Sequence, residues 1–130
     1  MLAVGLHAQT DANGITTFDL RFKKPNAGDY IAPKALHTIE HLLATVLRNS
    51  REKDNIVYFG PMGCRTGFYL LTLRLPYDEV LALLRECIPA ALALEEIPGA
   101  KREECGNYLE HDLPAAKKEL AAYLAVLEAL

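Results

Sequence analysis

LAVGLHAQTDANGITTFDLRF, residues 2 to 22, decides the fold class. Leu2, Val4, Leu6 and Ala8 alternate on one side of a first run, residues 2 to 8, and Phe18, Leu20 and Phe22 on one side of a second, residues 15 to 22. Successive side chains of a strand point to opposite faces, so both runs read as strands. The intervening DANG supplies turn residues and a glycine able to take positive φ, which makes the pair a hairpin. Leu2 and Leu6 serve a different layer from Phe18, Leu20 and Phe22 only if both sheet faces are buried, so the pattern predicts a homodimer.

Beyond the polar loop KKPNAGDY, Leu36, Ile39, Leu43, Val46 and Leu47 recur at helical spacing, with Pro33 tolerable in the first turn. A helix over about 33 to 48 follows. After RNSREKDN come IVYFG, the turn-rich PMGCRTG and FYLLTLRL, whose β-branched and aromatic content favours a second strand pair. DEVLALLRECIPAALALEE, residues 78 to 96, reads as a long apolar helix bent at Pro89. Asp112 is a good N-cap for a last helix with Pro114 in its first turn, and Leu113, Ala116, Leu120, Leu124 and Leu127 form its core-facing stripe. The order ββαββαα predicts an α+β fold, an antiparallel β-sheet of about four strands covered by helices.

A chain of 130 residues is the size of one domain, and no repeat, low-complexity tract or linker divides residues 1–130. The net charge of −3 and the absence of a basic patch argue against nucleic acid as a partner. VLALLRECIPAALAL, the most apolar region, is interrupted by Arg85, Glu86 and Pro89, too broken to span a membrane. Three cysteines at irregular spacing, with no secretory leader pattern, fit a reducing, cytoplasmic location.

The chemistry concentrates in ALHTIEHLLA, residues 35 to 44. His37 and His41 are four apart, hence one turn apart on one helical face, with Glu40 beside them. Burying such groups without partners costs roughly 2 to 7 kcal/mol for each neutral polar group. A divalent ion compensates all three together: two imidazoles at this spacing reach one metal, and the glutamate stands near a bound water or substrate. HxxEH is also the inverted form of a zinc-protease motif, so a metallopeptidase is one reading. The bland alternative is a pair of half-buried histidines bonded to backbone, with Glu40 in solvent.

Cys105, in the polar segment REECGN, is suited to bringing a thiolate to a metal, and a His₂Cys set leaves a fourth position open for substrate. Cys87, inside an apolar helix, reads as packing. Cys64, between glycines in MGCRTG and next to Arg65, has the surroundings of a reactive thiolate. The alternative is a fourth ligand of a closed, non-catalytic metal-binding module. A cysteine phosphatase is disfavoured, because the arginine follows immediately and no phosphate-cradling loop is present.

Taken together, ITTFDLRF, HTIEHLLATVLRN, GPMGCRTGFYL and ECGNYLEHDLPAAKKE resemble, in order, the S-ribosylhomocysteine lyase (LuxS) family. The resemblance implies a homodimeric enzyme with its sites at the subunit interface, using Fe²⁺ (Zn²⁺ or Co²⁺ can substitute) to split S-ribosylhomocysteine into homocysteine and 4,5-dihydroxy-2,3-pentanedione. It implies a place in the activated methyl cycle, in methionine metabolism and in making a quorum-sensing precursor. Motif by motif, it makes His37, His41 and Cys105 the metal ligands and Cys64 and Glu40 the acid–base pair, with Arg21 of FDLRF holding thiolate and substrate charge. It also implies an N-terminal segment whose serine and histidine reach the partner's site. This chain starts roughly where that segment would end, and His7, on a strand, does not obviously replace it. An aspartate near Tyr58 and a serine at Gly60 are the family's usual residues, so the resemblance is to a divergent member.

Overall fold

The computed structural model describes residues 3–103, 106–107 and 109–130. Strands β1 (Gly5–Thr10) and β2 (Ile15–Arg21) form the expected hairpin. Asp11 closes its turn, Oδ1 accepting from the backbone N–H of Asn13 at 2.8 Å and of Ile15 at 3.1 Å, the local bonding that favours aspartate in turns. Helix α1 (Pro33–Arg48) follows, then β3 (Ile56–Pro61), β4 (Gly67–Leu73), α2 (Tyr77–Leu92) and α3 (Leu113–Glu128).

All pairings are antiparallel in the order β1-β2-β4-β3, so the two hairpins join through β2 and β4 and β3 lies on an edge. Register places Leu6 opposite Leu20 and Leu20 opposite Phe68, while Ala8, Phe18, Leu70 and Phe59 form the next row. Leu6 therefore faces the same layer as Phe18 and Leu20, a correction to the separate layer expected for it; the first strand begins at Gly5 rather than residue 2. Leu2 lies outside the described residues.

One face of the sheet buries Leu6, Phe18, Leu20, Phe59, Phe68 and Leu70 in a single core with Ile39, Leu42, Leu43 and Leu47 of α1, Val80, Leu84 and Ile88 of α2, and Ala116, Leu120 and Leu127 of α3. Each such large side chain contributes about 1.5–3 kcal/mol by leaving water. The opposite face carries the row His7, Asp19, Tyr69 and Gly60. Tyr58 and Tyr69 are 49% and 40% exposed.

Helix boundaries depart from the sequence reading at two places. α2 stops at Leu92 rather than residue 96, so Pro89 falls in its last turn, where it lacks the backbone donor that would otherwise meet the carbonyl of Arg85. In α3, Asp112 caps as expected, accepting from Ala115 N–H at 3.0 Å. Its buried stripe is Ala116, Leu120, Tyr123 and Leu127, with Leu113 and Leu124 at the margin. Tyr123 enters because its hydroxyl donates to Gly5 O at 2.9 Å, which satisfies the one polar atom of an otherwise apolar ring.

Candidate metal centre

α1 sets His37 and His41 one turn apart, with Nε2 atoms 3.1 Å from each other. Backbone oxygens fix the far side of both rings. His37 Nδ1 lies 2.9 Å from Glu110 O, and His41 Nδ1 lies 2.8 Å from Pro98 O. A carbonyl only accepts, so each Nδ1 carries a proton and the Nε2 atoms of the two rings face one another. Two imidazole nitrogens at that separation can share a proton or a cation. Gly99 permits the approach of the 98–99 loop: its φ is +68°, and a Cβ there would stand 3.3 Å from His41 Nδ1.

A third imidazole joins them. His111 stacks on His37 with ring centroids 4.1 Å apart and meets His41 edge-on at 4.9 Å. One nitrogen from each of the three rings lies within 4.8 Å of the others. Thr38, fully buried on α1, determines the tautomer of His111. The Thr38 hydroxyl donates to Lys34 O at 2.8 Å and accepts from Asp112 N–H at 2.9 Å, so at 3.0 Å from His111 Nδ1 it accepts a second time. The Nε2 of His111 therefore bears the lone pair; it is buried and has no hydrogen-bond partner among the described residues. Burial first, then the neighbouring His37 and His41, push its pKa down to about 4, which keeps the ring neutral at neutral pH. Nitrogens from three rings anchored on their outer sides make a donor set able to hold a metal ion.

His111 was not singled out by sequence reasoning. The available signal was its place one residue before the N-cap Asp112, six after Cys105, in a chain with four histidines. Cys105, the expected sulfur ligand, lies outside the described residues. Glu40 lines a cleft of about 300 Å³ with His41, Arg48, Phe59 and Gly99.

Cys64 occupies the exposed turn between β3 and β4, in a cleft of about 500 Å³ with Pro25, Asn26 and Tyr30. Its Sγ is 3.0 Å from the Thr66 hydroxyl. The pKa of Cys64 is lowered, chiefly by that hydrogen bond and then, against burial, by the Thr66 backbone and the charge of Arg21. Arg65, the cation the sequence suggested, turns elsewhere: Nη1 donates to Ile31 O at 3.2 Å and the guanidinium lies 5.8 Å from the centre of the Tyr30 ring. Arg21 supplies the charge instead. Cys87 is the packing cysteine expected, its thiol pushed up to about 11 by burial and by Glu86.

A sequence model of the S-ribosylhomocysteinase (LuxS) family matches residues 3–129. The chain belongs to the LuxS family. It is similar to proteins called S-ribosylhomocysteine lyase from three organisms. The Phocaeicola vulgatus protein is 51% identical over 113 residues, covering 85% of this chain and 70% of the relative. The Borreliella afzelii protein is 47% identical over 115 residues, 86% of this chain and 73% of the relative. The Porphyromonas gingivalis protein is 47% identical over 114 residues, 85% and 71%.

Two further geometric features of this LuxS chain concern residues the sequence singled out. At the two positions noted as divergent, the side chains are coupled: a Cβ added at Gly60 would stand 1.9 Å from the Tyr58 hydroxyl, so the tyrosine ring occupies the room a serine would need. The clefts of Cys64 and Glu40 share no lining residue among the described residues. No helix among the described residues is long and apolar enough to cross a membrane.

Proposed function

We propose that this chain is a metal-dependent carbon–sulfur lyase that cleaves S-ribosylhomocysteine to homocysteine and 4,5-dihydroxy-2,3-pentanedione. The observation that carries the proposal is the outwardly anchored pair His37 and His41, whose Nε2 atoms lie 3.1 Å apart, in a LuxS-family chain. His37, His41 and Cys105 hold the ion, Fe²⁺ natively with Zn²⁺ or Co²⁺ as substitutes. Bound there, a divalent ion supplies Lewis-acid polarisation of sugar oxygens without a change of redox state.

The side chains supply the proton movements. Cys64, as thiolate, removes a proton from the carbon next to the sugar carbonyl and returns it to the neighbouring carbon, while Glu40 gives and takes the hydroxyl protons. Two such transfers carry the carbonyl from C1 to C3. A carbonyl at C3 acidifies C4; Cys64 takes the C4 proton as homocysteine thiolate leaves C5 and returns it to C5 of the enol, while Glu40 takes the enol's hydroxyl proton and gives it to the departing thiolate, so the atoms of the two products sum to those of the substrate. Arg21 balances the negative charge near Cys64. Because Cys64 and Glu40 line separate clefts, the site is completed in a homodimer, whose interface is the sheet face bearing Tyr58 and Tyr69. Residues 1–130 form one domain that acts in the cytoplasm, in the activated methyl cycle, with a product available as a quorum-sensing precursor.

The test is release of a thiol from S-ribosylhomocysteine by anaerobically Fe²⁺- or Co²⁺-loaded protein. Stoichiometric thiol is expected, and none would contradict the proposal. A second reading, a closed structural site, is favoured by one observation: His111 offers a further nitrogen beside the pair. In that case the ion has four protein ligands and no activity. Peptide cleavage that survives Cys64→Ala would instead support the metallopeptidase reading.

A further inference from the structure

Thr66 is 1% exposed although it carries a hydroxyl, and its contacts are unusual for a buried threonine. Arg21 Nη1 lies 2.7 Å from Thr66 Oγ1. A guanidinium has no acceptor, so the hydroxyl must accept there, and its single proton is left for Cys64 Sγ at 3.0 Å. Met62 Sδ, at 4.0 Å, is the weaker alternative. On its other side Arg21 is gripped by Asp19 through two parallel bonds, Nε to Oδ1 at 3.1 Å and Nη2 to Oδ2 at 2.6 Å. Both side chains of that pair are nearly buried, at 11% and 12% exposure, which makes a two-pronged pair rigid as well as strong. Tyr69 on β4 is the other ionisable neighbour of Arg21, and Arg65, on the Cys64 turn itself, is engaged with Ile31 and Tyr30.

We propose that Thr66 is a positioning residue for the reactive sulfur: it accepts from Arg21, donates to Cys64 Sγ and so stabilises and orients the thiolate, while Asp19 locks Arg21 in place. The chain Asp19–Arg21–Thr66–Cys64 lets a buried guanidinium act on an exposed sulfur through one hydroxyl. The role rests on the assignment above of Cys64 as the group that exchanges protons with substrate. The direction of the Cys64 shift, with the Thr66 side chain its largest cause, agrees.

The experiment uses the full-length, metal-loaded protein and two variants, Thr66→Val, which keeps the shape and loses the hydroxyl, and Thr66→Ser, which keeps the hydroxyl. The pH dependence of iodoacetamide alkylation is followed at the Cys64 peptide by mass spectrometry, so that Cys87 and Cys105 do not contribute. The midpoint is expected to rise by about one to two pH units in Thr66→Val, the value of a hydrogen bond to a charged group, and to stay near wild type in Thr66→Ser. With substrate, kcat falls in Thr66→Val and KM holds. An unchanged midpoint in Thr66→Val, or equal rises in both variants, would overturn the proposal. If Thr66→Val does not fold, Asp19→Asn decides: releasing Arg21 must raise the midpoint, and no rise overturns the proposal. Thiol release retained by Cys64→Ala would refute the catalytic assignment and not the relay, which the alkylation midpoints alone decide.

Discussion

Replacing Thr38 by valine removes one hydroxyl and almost no volume, so its effect isolates the tie between α1 and the start of α3. Two donors lose their acceptor, the Asp112 N–H at 2.9 Å and the His111 Nδ1–H at 3.0 Å. A buried donor left without an acceptor costs about 1–3 kcal/mol, so the two together set a range of about 2–6 kcal/mol. Asp112 is exposed and water can replace the hydroxyl at its N–H, which places the loss near the lower end, about 2–3 kcal/mol. For a domain of this size each kcal/mol lowers Tm by about 3–5 °C, so a fall of about 6–15 °C is expected in the metal-free protein by circular dichroism. Thr38→Ser keeps the acceptor and loses a methyl group, for about 1 kcal/mol. A Thr38→Val protein within about 0.5 kcal/mol of wild type would refute the hydrogen-bond assignment and with it the derived tautomer of His111.

Gly67→Ala should destabilise the fold by more than about 3 kcal/mol in urea titration, because its Cβ would stand 2.1 Å from the Leu20 carbonyl and force β2 from β4. Cys87 should resist iodoacetamide in the folded protein at pH 8 and react once the chain is unfolded. Its folded pKa is raised, so its stability contribution is complete below the ordinary thiol value of 9.0 and is lost as pH rises toward about 11; wild type should therefore weaken more steeply than Cys87→Ala across that window. Cys64→Ala and Glu40→Gln should each lower kcat by about 10² to 10⁴-fold with unchanged metal content and circular dichroism. Mixed and refolded together, the two inactive variants should recover about a quarter of wild-type activity if one chain's Glu40 serves the other's Cys64. No recovery would place both groups in one chain's site.

Local signals explain what could be read from the residues. The hairpin was legible because period-2 alternation flanks an aspartate-containing turn, and α1 because its apolar residues repeat at helical spacing around a proline that fits the first turn. The pairing of β2 with β4 was not legible, since nothing local distinguishes it from pairing with β3. Leu6 was assigned to the wrong layer because alternation fixes which residues of one strand share a face but not how that strand pairs with the next, and the register sets Leu6 opposite Leu20. At the site, His37 and His41 declared themselves by being four apart on one helix. His111, 70 residues further on, depends on the docking of α3, and Thr38 and Thr66 depend on partners brought from other elements. Adjacency in sequence pointed to Arg65 as the cation beside Cys64, while Arg21 was named only through the family resemblance; the Arg65 side chain turns to Ile31 and Tyr30, and Arg21 reaches Thr66 across the sheet.

X-ray absorption at the metal edge of protein loaded with one Zn²⁺ or Co²⁺ per chain tests the proposed centre most directly. Nitrogen scatterers at about 2.0–2.1 Å with one sulfur at about 2.3 Å are expected, and the sulfur should vanish in Cys105→Ser. A wild-type spectrum fitted by imidazole nitrogens without sulfur, or one unaltered by Cys105→Ser, would contradict the ligand set of two histidines and a thiolate.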